Sequence, residues 1–244
     1  MKKIVIQPRG GLCNRLRFIF SFIKKLKDEN EYNNTLIFVV WRVDSSCNDY
    51  FLNYFKPMNN VVFLNNNLNE LEIYKSGCKV LSKYKSSNYL ILKKLKLKED
   101  IYNKIYDVIK DLENKYISCH IRRTDLNYFL EKNNKKDKIY EDEDYVKFIK
   151  KNRGYHVYVA TDNYQTQQYF TKNIKRTKFY QKIEKDKKGL RKTSLEHAII
   201  DLFVCALSYE FMGSYFSSYT DFIKLIRINL DKDKSPIQNL KLFK

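Results

Sequence analysis

The sequence predicts an α/β protein with largely parallel sheets, and three observations carry that prediction. Short β-branched or aromatic runs alternate with amphipathic helical stretches along the chain. A glycine turn, Pro8-Arg9-Gly10-Gly11, joins the first such run to the first helical stretch, as in a parallel strand–turn–helix unit. Polar clusters directly follow several apolar runs, at the strand ends where ligands meet an open α/β sheet. With 244 residues the chain is too long for one five-stranded unit. Two doubly wound halves are therefore expected, residues 1–115 and 116–244.

In order, Lys3 to Gln7 reads as a strand, and Leu12 to Phe20 opens an amphipathic helix after the glycine turn. Thr35 to Trp41 is a second strand, and Ser45 to Phe55 carries a cap-like start followed by helical spacing. Val61 to Leu64 is a third strand and Lys79 to Leu81 a further short one. Glu99 to Leu112 sets Ile101, Ile105, Val108, Ile109 and Leu112 on one helical face. Tyr116 to Ile121 is the next strand. The polar segment 133–144 reads as an exposed loop. Helix Tyr145 to Lys151, strand His156 to Asp162, helix Tyr164 to Lys172 and strand Thr177 to Tyr180 follow. Ser194 caps a strong helix to Leu207. Strand Phe211 to Gly213, a hydroxyl-rich turn and helix Asp221 to Ile228 complete the pattern.

Composition narrows the function classes without choosing one. A formal charge of +19 fits nucleic acid, an anionic membrane surface or a phosphorylated substrate as partner. The excess is scattered lysine, so it marks no single face. Five cysteines lie far apart without metal-ligand spacing, which points to a reducing compartment. The first apolar run is too short for a signal peptide, and no window approaches the roughly 20 apolar residues of a membrane span. A soluble, cytoplasmic protein is expected.

The chemistry concentrates in Tyr116-Ile-Ser-Cys-His-Ile-Arg-Arg-Thr-Asp125, an apolar run that ends in adjacent arginines, a hydroxyl and a carboxylate. Two neighbouring guanidiniums repel unless an anion relieves them, and arginine's fork matches phosphate oxygens. A surface arginine pair would be unremarkable; this one closes a strand, and Asp125 can orient a guanidinium. Two more strand ends deliver Thr161-Asp162 and the Ser214, Ser217, Ser218, Thr220 turn. A hydroxyl-rich turn before a helix donates to phosphate, and a carboxylate can accept from a guanine edge. A nucleoside diphosphate suits the set.

Four motifs together resemble the fucosyltransferase superfamily that includes α1,6-, α1,2- and protein O-fucosyltransferases. They are His120-Ile-Arg-Arg-Thr-Asp125, Val157-Tyr-Val-Ala-Thr-Asp162, Asp201 to Ser208 with Gly213 to Ser218, and Gly10-Gly-Leu-Cys-Asn-Arg-Leu16. The resemblance implies a GT-B-like architecture of two Rossmann-like domains facing across a cleft, the C-terminal one holding the nucleotide sugar. It implies inverting, metal-independent transfer of fucose from GDP-fucose to a glycan or protein hydroxyl, with no further cofactor. Carried over by motif, Arg122 would hold the diphosphate and stabilise departing GDP, alongside Arg123 and with Asp125 as brace. His120 and Asp162 would lie against guanosine, Asp201 at the base or ribose edge, and Ser217 and Ser218 on phosphate. Gly11, Asn14 and Arg15 would line the cleft from the other domain. The general base is unassigned, Glu131 being the nearest candidate, and Arg17, Arg191 and Lys192 read as surface charge. Another nucleotide sugar on the same fold stays open, because no motif reads the sugar ring. A basic nucleic-acid-binding protein is the alternative from another class, disfavoured because no helix carries a one-sided basic stripe.

Overall fold

A computed structural model of the chain describes residues 1–65, 74–77, 88–123, 125–185 and 193–244. The strand expected at 79–81, Thr124, Arg191 and Lys192 lie outside the described residues. The chain packs as two compact units, Met1–Glu99 with Leu242–Lys244, and Asp100–Lys241. The helix Glu99–Asp111, which the sequence reading assigned to the first half, thus falls almost wholly in the second unit.

The first unit holds four parallel strands, β1 Lys2–Pro8, β2 Thr35–Val40, β3 Val61–Leu64 and β4 Lys75–Gly77, in spatial order β3-β2-β1-β4. After β1 the chain turns through Gly10, whose φ of +80° is a left-handed conformation that favours glycine. Helix α1, Leu12–Asp28, then packs an almost wholly apolar face inward. Trp41, Phe51, Phe55 and Phe63 fill the opposite end, with Phe51 stacked on Phe63 at 4.0 Å between ring centroids.

The segment expected to be a helix at 45–55 is not one: it forms a single 3₁₀ turn, Phe51–Asn53. Its aspartates explain the failure. Asp44 accepts from the N–H groups of Ser46 and Cys47, and Asp49 from Tyr50 N–H. Such short-range side-chain bonds compete with helical ones.

The second unit repeats the order. Its strands β5 Tyr116–Ile121, β6 His156–Thr161, β7 Thr177–Lys178 and β8 Phe211–Gly213 run parallel as β7-β6-β5-β8. Helix α2 is Asn88–Lys94 in the first unit, and α3 is Glu99–Asp111. The second unit continues with α4 Leu126–Lys132, α5 Asp142–Lys151, α6 Tyr164–Asn173, α7 Leu195–Leu207, α8 Ser218–Arg227 and α9 Pro236–Leu240.

Alternation along the buried strands sorts two faces. Ile117, Cys119 and Ile121 with Val157 and Val159 pack against Tyr145 and Ile149 of α5 and Phe170 of α6. The other face meets α7 and carries polar atoms, each bonded: Tyr116 Oη donates to Val204 O, and Ser118 Oγ lies 2.7 Å from Ser208 Oγ. Cys13, Cys47, Cys119 and Cys205 are buried thiols. Among the described residues no helix is long and apolar enough to cross a membrane.

Arg15, expected to line a cleft, is instead a staple of the first unit with 0% of its surface exposed. Its Nε donates to Gly10 O at 2.6 Å, Nη1 to Arg42 O and Nη2 to Asp44 at 2.7 Å, and its guanidinium lies 5.0 Å from the Trp41 ring centroid. It ties the glycine turn to the end of β2. Arg15→Ala should therefore cost about 2–4 kcal/mol, because two carbonyls, the Asp44 carboxylate and the space beside Trp41 lose their buried partner. Arg15→Lys should recover little of it, since an ammonium cannot serve three directions as the fork does. Urea unfolding measures this; wild-type stability in Arg15→Ala would contradict the staple.

Candidate active site

In both sheets the strand order reverses beside the first strand of the unit. β1 and β4 flank the crevice of the first unit, and β5 and β8 that of the second. Ligands of open α/β sheets bind outside the carboxyl ends of the strands at such a point. The register shows why the motif residues of the second unit converge there. His120 pairs with Ala160 on one side and Gly213 on the other, and Ile121 pairs with Thr161. Arg122, Asp162 and Ser214 therefore emerge from adjacent strands together.

Hydrogen bonds then lock the β5 end to the turn before α8. Ser214 N–H donates to His120 O at 2.9 Å, and Ser214 Oγ accepts from Arg122 N–H at 2.9 Å. His120 Nδ1 and Thr220 Oγ1 share a 2.8 Å bond, and the imidazole stacks on Tyr219 at 4.6 Å. The seam is tight: a Cβ on Gly213 would meet Phe211 and Thr220 at 2.7 Å. Ser217 caps α8, its hydroxyl accepting from Thr220 N–H, while Ser218 is the helix's first residue and half-buried. The helix expected from Asp221 thus begins three residues earlier, with its N-terminal N–H groups at the carboxyl end of the sheet.

The two arginines have different settings. Asp125 stands at the N-cap of α4 but does not cap it; its carboxylate grips Arg122, accepting from Nε at 2.8 Å and Nη2 at 2.6 Å. Among the described residues nothing bonds Nη1, so the Nη1–Nη2 edge remains to serve an anion. Arg123 turns the other way. Its Nη1 donates to Tyr140 O and its Nη2 to Asp142, both at 2.7 Å, while its backbone N–H donates to Asp162 at 3.1 Å. Arg123 is a tether for the start of α5. The two arginines expected to act as a pair are thus set apart: Arg122 is held on one edge by Asp125, and the Arg123 guanidinium is engaged with Tyr140 O and Asp142.

Asp201 also departs from its expected place. It is 6% exposed on α7, with Oδ1 accepting from Tyr158 Oη and Oδ2 lying 3.2 Å from His197 Nε2. Both oxygens serve the core, so Asp201 braces β6 against α7 and is not brought to the strand ends. Glu131 is exposed on α4. In the first unit, Gly11 is the N-cap of α1 without a side-chain bond, and Asn14 is half-buried with Nδ2 3.2 Å from where a Gly10 Cβ would lie. Among the described residues no three His, Cys, Asp or Glu side chains gather as a metal site would require. Tyr219 and Tyr158 were not singled out by the sequence reading. Tyr219 lay within the hydroxyl-rich turn, but its ring partner is 99 positions away.

Burial, and then the Arg122 charge, push the His120 imidazole down to about 3 from its ordinary 6.5, so it is neutral near pH 7. The ring is buried between Tyr219 and the Thr220 hydroxyl, so it holds the seam instead of facing the crevice.

The chain matches the model of the GDP-fucose protein O-fucosyltransferase family over residues 17–228. No curated protein matches it. Among solved structures, the fucosyltransferase NodZ from Bradyrhizobium shares 14% identity, with 93% of this chain and 94% of that one aligned at a TM-score of 0.65. NodZ α1,6-fucosyltransferase soaked with GDP-fucose aligns over 93% of both chains at 14% identity and a TM-score of 0.63. POFUT1 in complex with GDP shares 11% identity, with 93% of this chain and 95% of that one aligned at 0.55. The fold is the α/β, GT-B-like fold of these enzymes.

The His120 shift sets a pH dependence. Between about 6.5 and 3 the unfolded chain binds a proton there that the folded chain does not. Its contribution to stability is complete above that window and lost as pH falls through it, at up to about 1.4 kcal/mol per pH unit. His120→Gln should flatten the acid limb of the stability profile by up to that slope in denaturant titrations from pH 7 to 4; superimposable slopes would contradict it. With two parallel sheets of one strand order and a family model spanning residues 17–228, the chain belongs to the GDP-fucose protein O-fucosyltransferase family.

Proposed function

We propose that the protein transfers fucose from GDP-fucose to a hydroxyl of a glycan or protein acceptor, with inversion at the sugar carbon and without a metal ion. The observation that carries this reading is Arg122: a guanidinium held on one edge by Asp125, with its other edge available at the switch point beside the α8 N-terminus. The NodZ enzyme soaked with GDP-fucose and POFUT1 in complex with GDP share the fold, which supports the choice of donor.

In this mechanism the acceptor hydroxyl attacks the sugar's anomeric carbon from the face opposite the phosphate and releases its proton to solvent as the new C–O bond forms. The bond from that carbon to the β-phosphate oxygen breaks, and GDP departs with added negative charge. Arg122 offsets that charge, aided by the Ser217 and Ser218 turn and the N–H groups of α8. Asp125 aligns the guanidinium in advance, so little reorganisation accompanies the reaction. The buried His120 ring fixes the α8 turn through Thr220, and Asp162 supplies an acceptor for the guanine edge. The positive field comes from arginine and helix, which supports a metal-free donor site. The buried thiols support a reducing, cytoplasmic setting.

Transfer from radiolabelled GDP-fucose to an acceptor mixture tests the reading. Activity should persist in EDTA, and Arg122→Lys should lower it by about 10²–10³ although charge is retained, because a point charge cannot keep both the Asp125 bond and the phosphate fork. Near-full turnover in Arg122→Lys would overturn the role given to Arg122. Loss of transfer in EDTA, restored by Mn²⁺, would overturn the metal-free mechanism.

A further inference from the structure

The second unit carries an exposed aromatic and basic strip that the nucleotide reading leaves unused. On α4, Leu126 and Leu130 turn inward while Tyr128 and Phe129 are 68% and 51% exposed. The turn before α8 adds Tyr215 and Phe216, 44% and 48% exposed, their rings edge to face at 4.6 Å. Phe216 holds φ at 55°, a left-handed conformation that bulky residues rarely adopt. A strained backbone that turns a phenylalanine into water does nothing for the core.

Basic side chains are interleaved with these rings. The Lys135 ammonium lies 4.2 Å from the Phe216 ring centroid, and Lys138 is exposed nearby in sequence, paired with Asp137 at 2.9 Å. The segment also carries Lys132 and Lys136, with Glu131 and Asp137 its acidic members. Arg123 anchors this strip to the strand end through Tyr140 O. The strip therefore sits at a defined position relative to Arg122.

Phenyl rings without a polar tip, tyrosines beside them and lysines with long apolar stems are the side chains that partition at a bilayer interface. The phenyl enters the acyl boundary, tyrosine stays at headgroup depth, and lysine pairs with anionic lipid. Four lysines against two acids within residues 128–140 favour an anionic surface over a neutral one. We propose that the Tyr128–Tyr140 segment and the Tyr215–Phe216 turn dock the protein on an anionic membrane, with the strand-end site held near the headgroups. This goes beyond the donor reading and stands independently of it.

The test is cosedimentation of the full chain with phosphatidylcholine vesicles, with and without about 30% phosphatidylglycerol, at low and high salt. Binding should require the anionic lipid and weaken with salt. Lys135→Glu with Lys138→Glu should reduce partitioning about tenfold or more, and Tyr128→Ser with Phe129→Ser should reduce it too, each at unchanged melting temperature. GDP-induced thermal stabilisation, measured in parallel, should survive both double variants. Vesicle binding without GDP binding would sink the donor reading and leave the docking surface standing. No sedimentation, equal binding to neutral vesicles or variants that bind like wild type would overturn the proposal. So would self-association or single-stranded oligonucleotide binding that the same variants abolish in place of lipid binding.

Discussion

The site of the second unit depends on one seam, the hydrogen bonds between the end of β5 and the turn that starts α8. Ser214 bonds both His120 O and Arg122 N–H, and Thr220 bonds the His120 ring. The seam is buried, so an unpaired group there would carry a desolvation cost of about 1–3 kcal/mol. It therefore fixes two things at once: where the Arg122 backbone leaves the sheet, and where the α8 N-terminus points. Each alone would be a weak anion site. Joined, they place a guanidinium edge and a helix end at one crevice, which is what the proposed diphosphate site requires.

The arginines illustrate how one residue type divides its labour by environment. Arg15 is spent on two carbonyls, a carboxylate and an indole, and Arg123 on the start of α5. Arg227, also largely buried, closes the carboxyl end of α7 by donating to Ala206 O, Ser208 O and Tyr209 O. Arg122 differs because its fixed partner occupies one edge only. A motif containing adjacent arginines does not say which is which. The answer comes from β5 ending at Ile121, and from a carboxylate at Asp125 on one side and Asp142 on the other.

Much of the fold was legible because it rests on local pattern. Uninterrupted apolar runs marked β1, β2, β5 and β6, and helical periodicity marked α1, α3 and α7. The false helix at 45–55 arose because periodicity is blind to aspartates that bond their own neighbours' N–H groups. The short β4 carries no apolar run, and α4 is too short for its two inward leucines to show a period. Of the proposed site residues, His120, Arg122, Asp125 and the serine turn are legible from strand ends and motif, and the register brings their backbones together. Asp201 could not be placed, because its partners Tyr158 and His197 sit on another strand and one turn back along α7. A helix-face carboxylate reads the same in sequence whether it meets a ligand or a buried phenol.

The central claim is that the β5–α8 seam builds a site for a guanine nucleoside diphosphate. Titration calorimetry of GDP and UDP into wild type and Thr220→Val tests it most directly, since valine keeps the shape and removes only the bond to His120. The account predicts measurable GDP binding, much weaker UDP binding, and a loss of about tenfold or more in GDP affinity in the valine variant, the net worth of one buried hydrogen bond. GDP and UDP bound alike, or GDP affinity untouched by Thr220→Val, would contradict it.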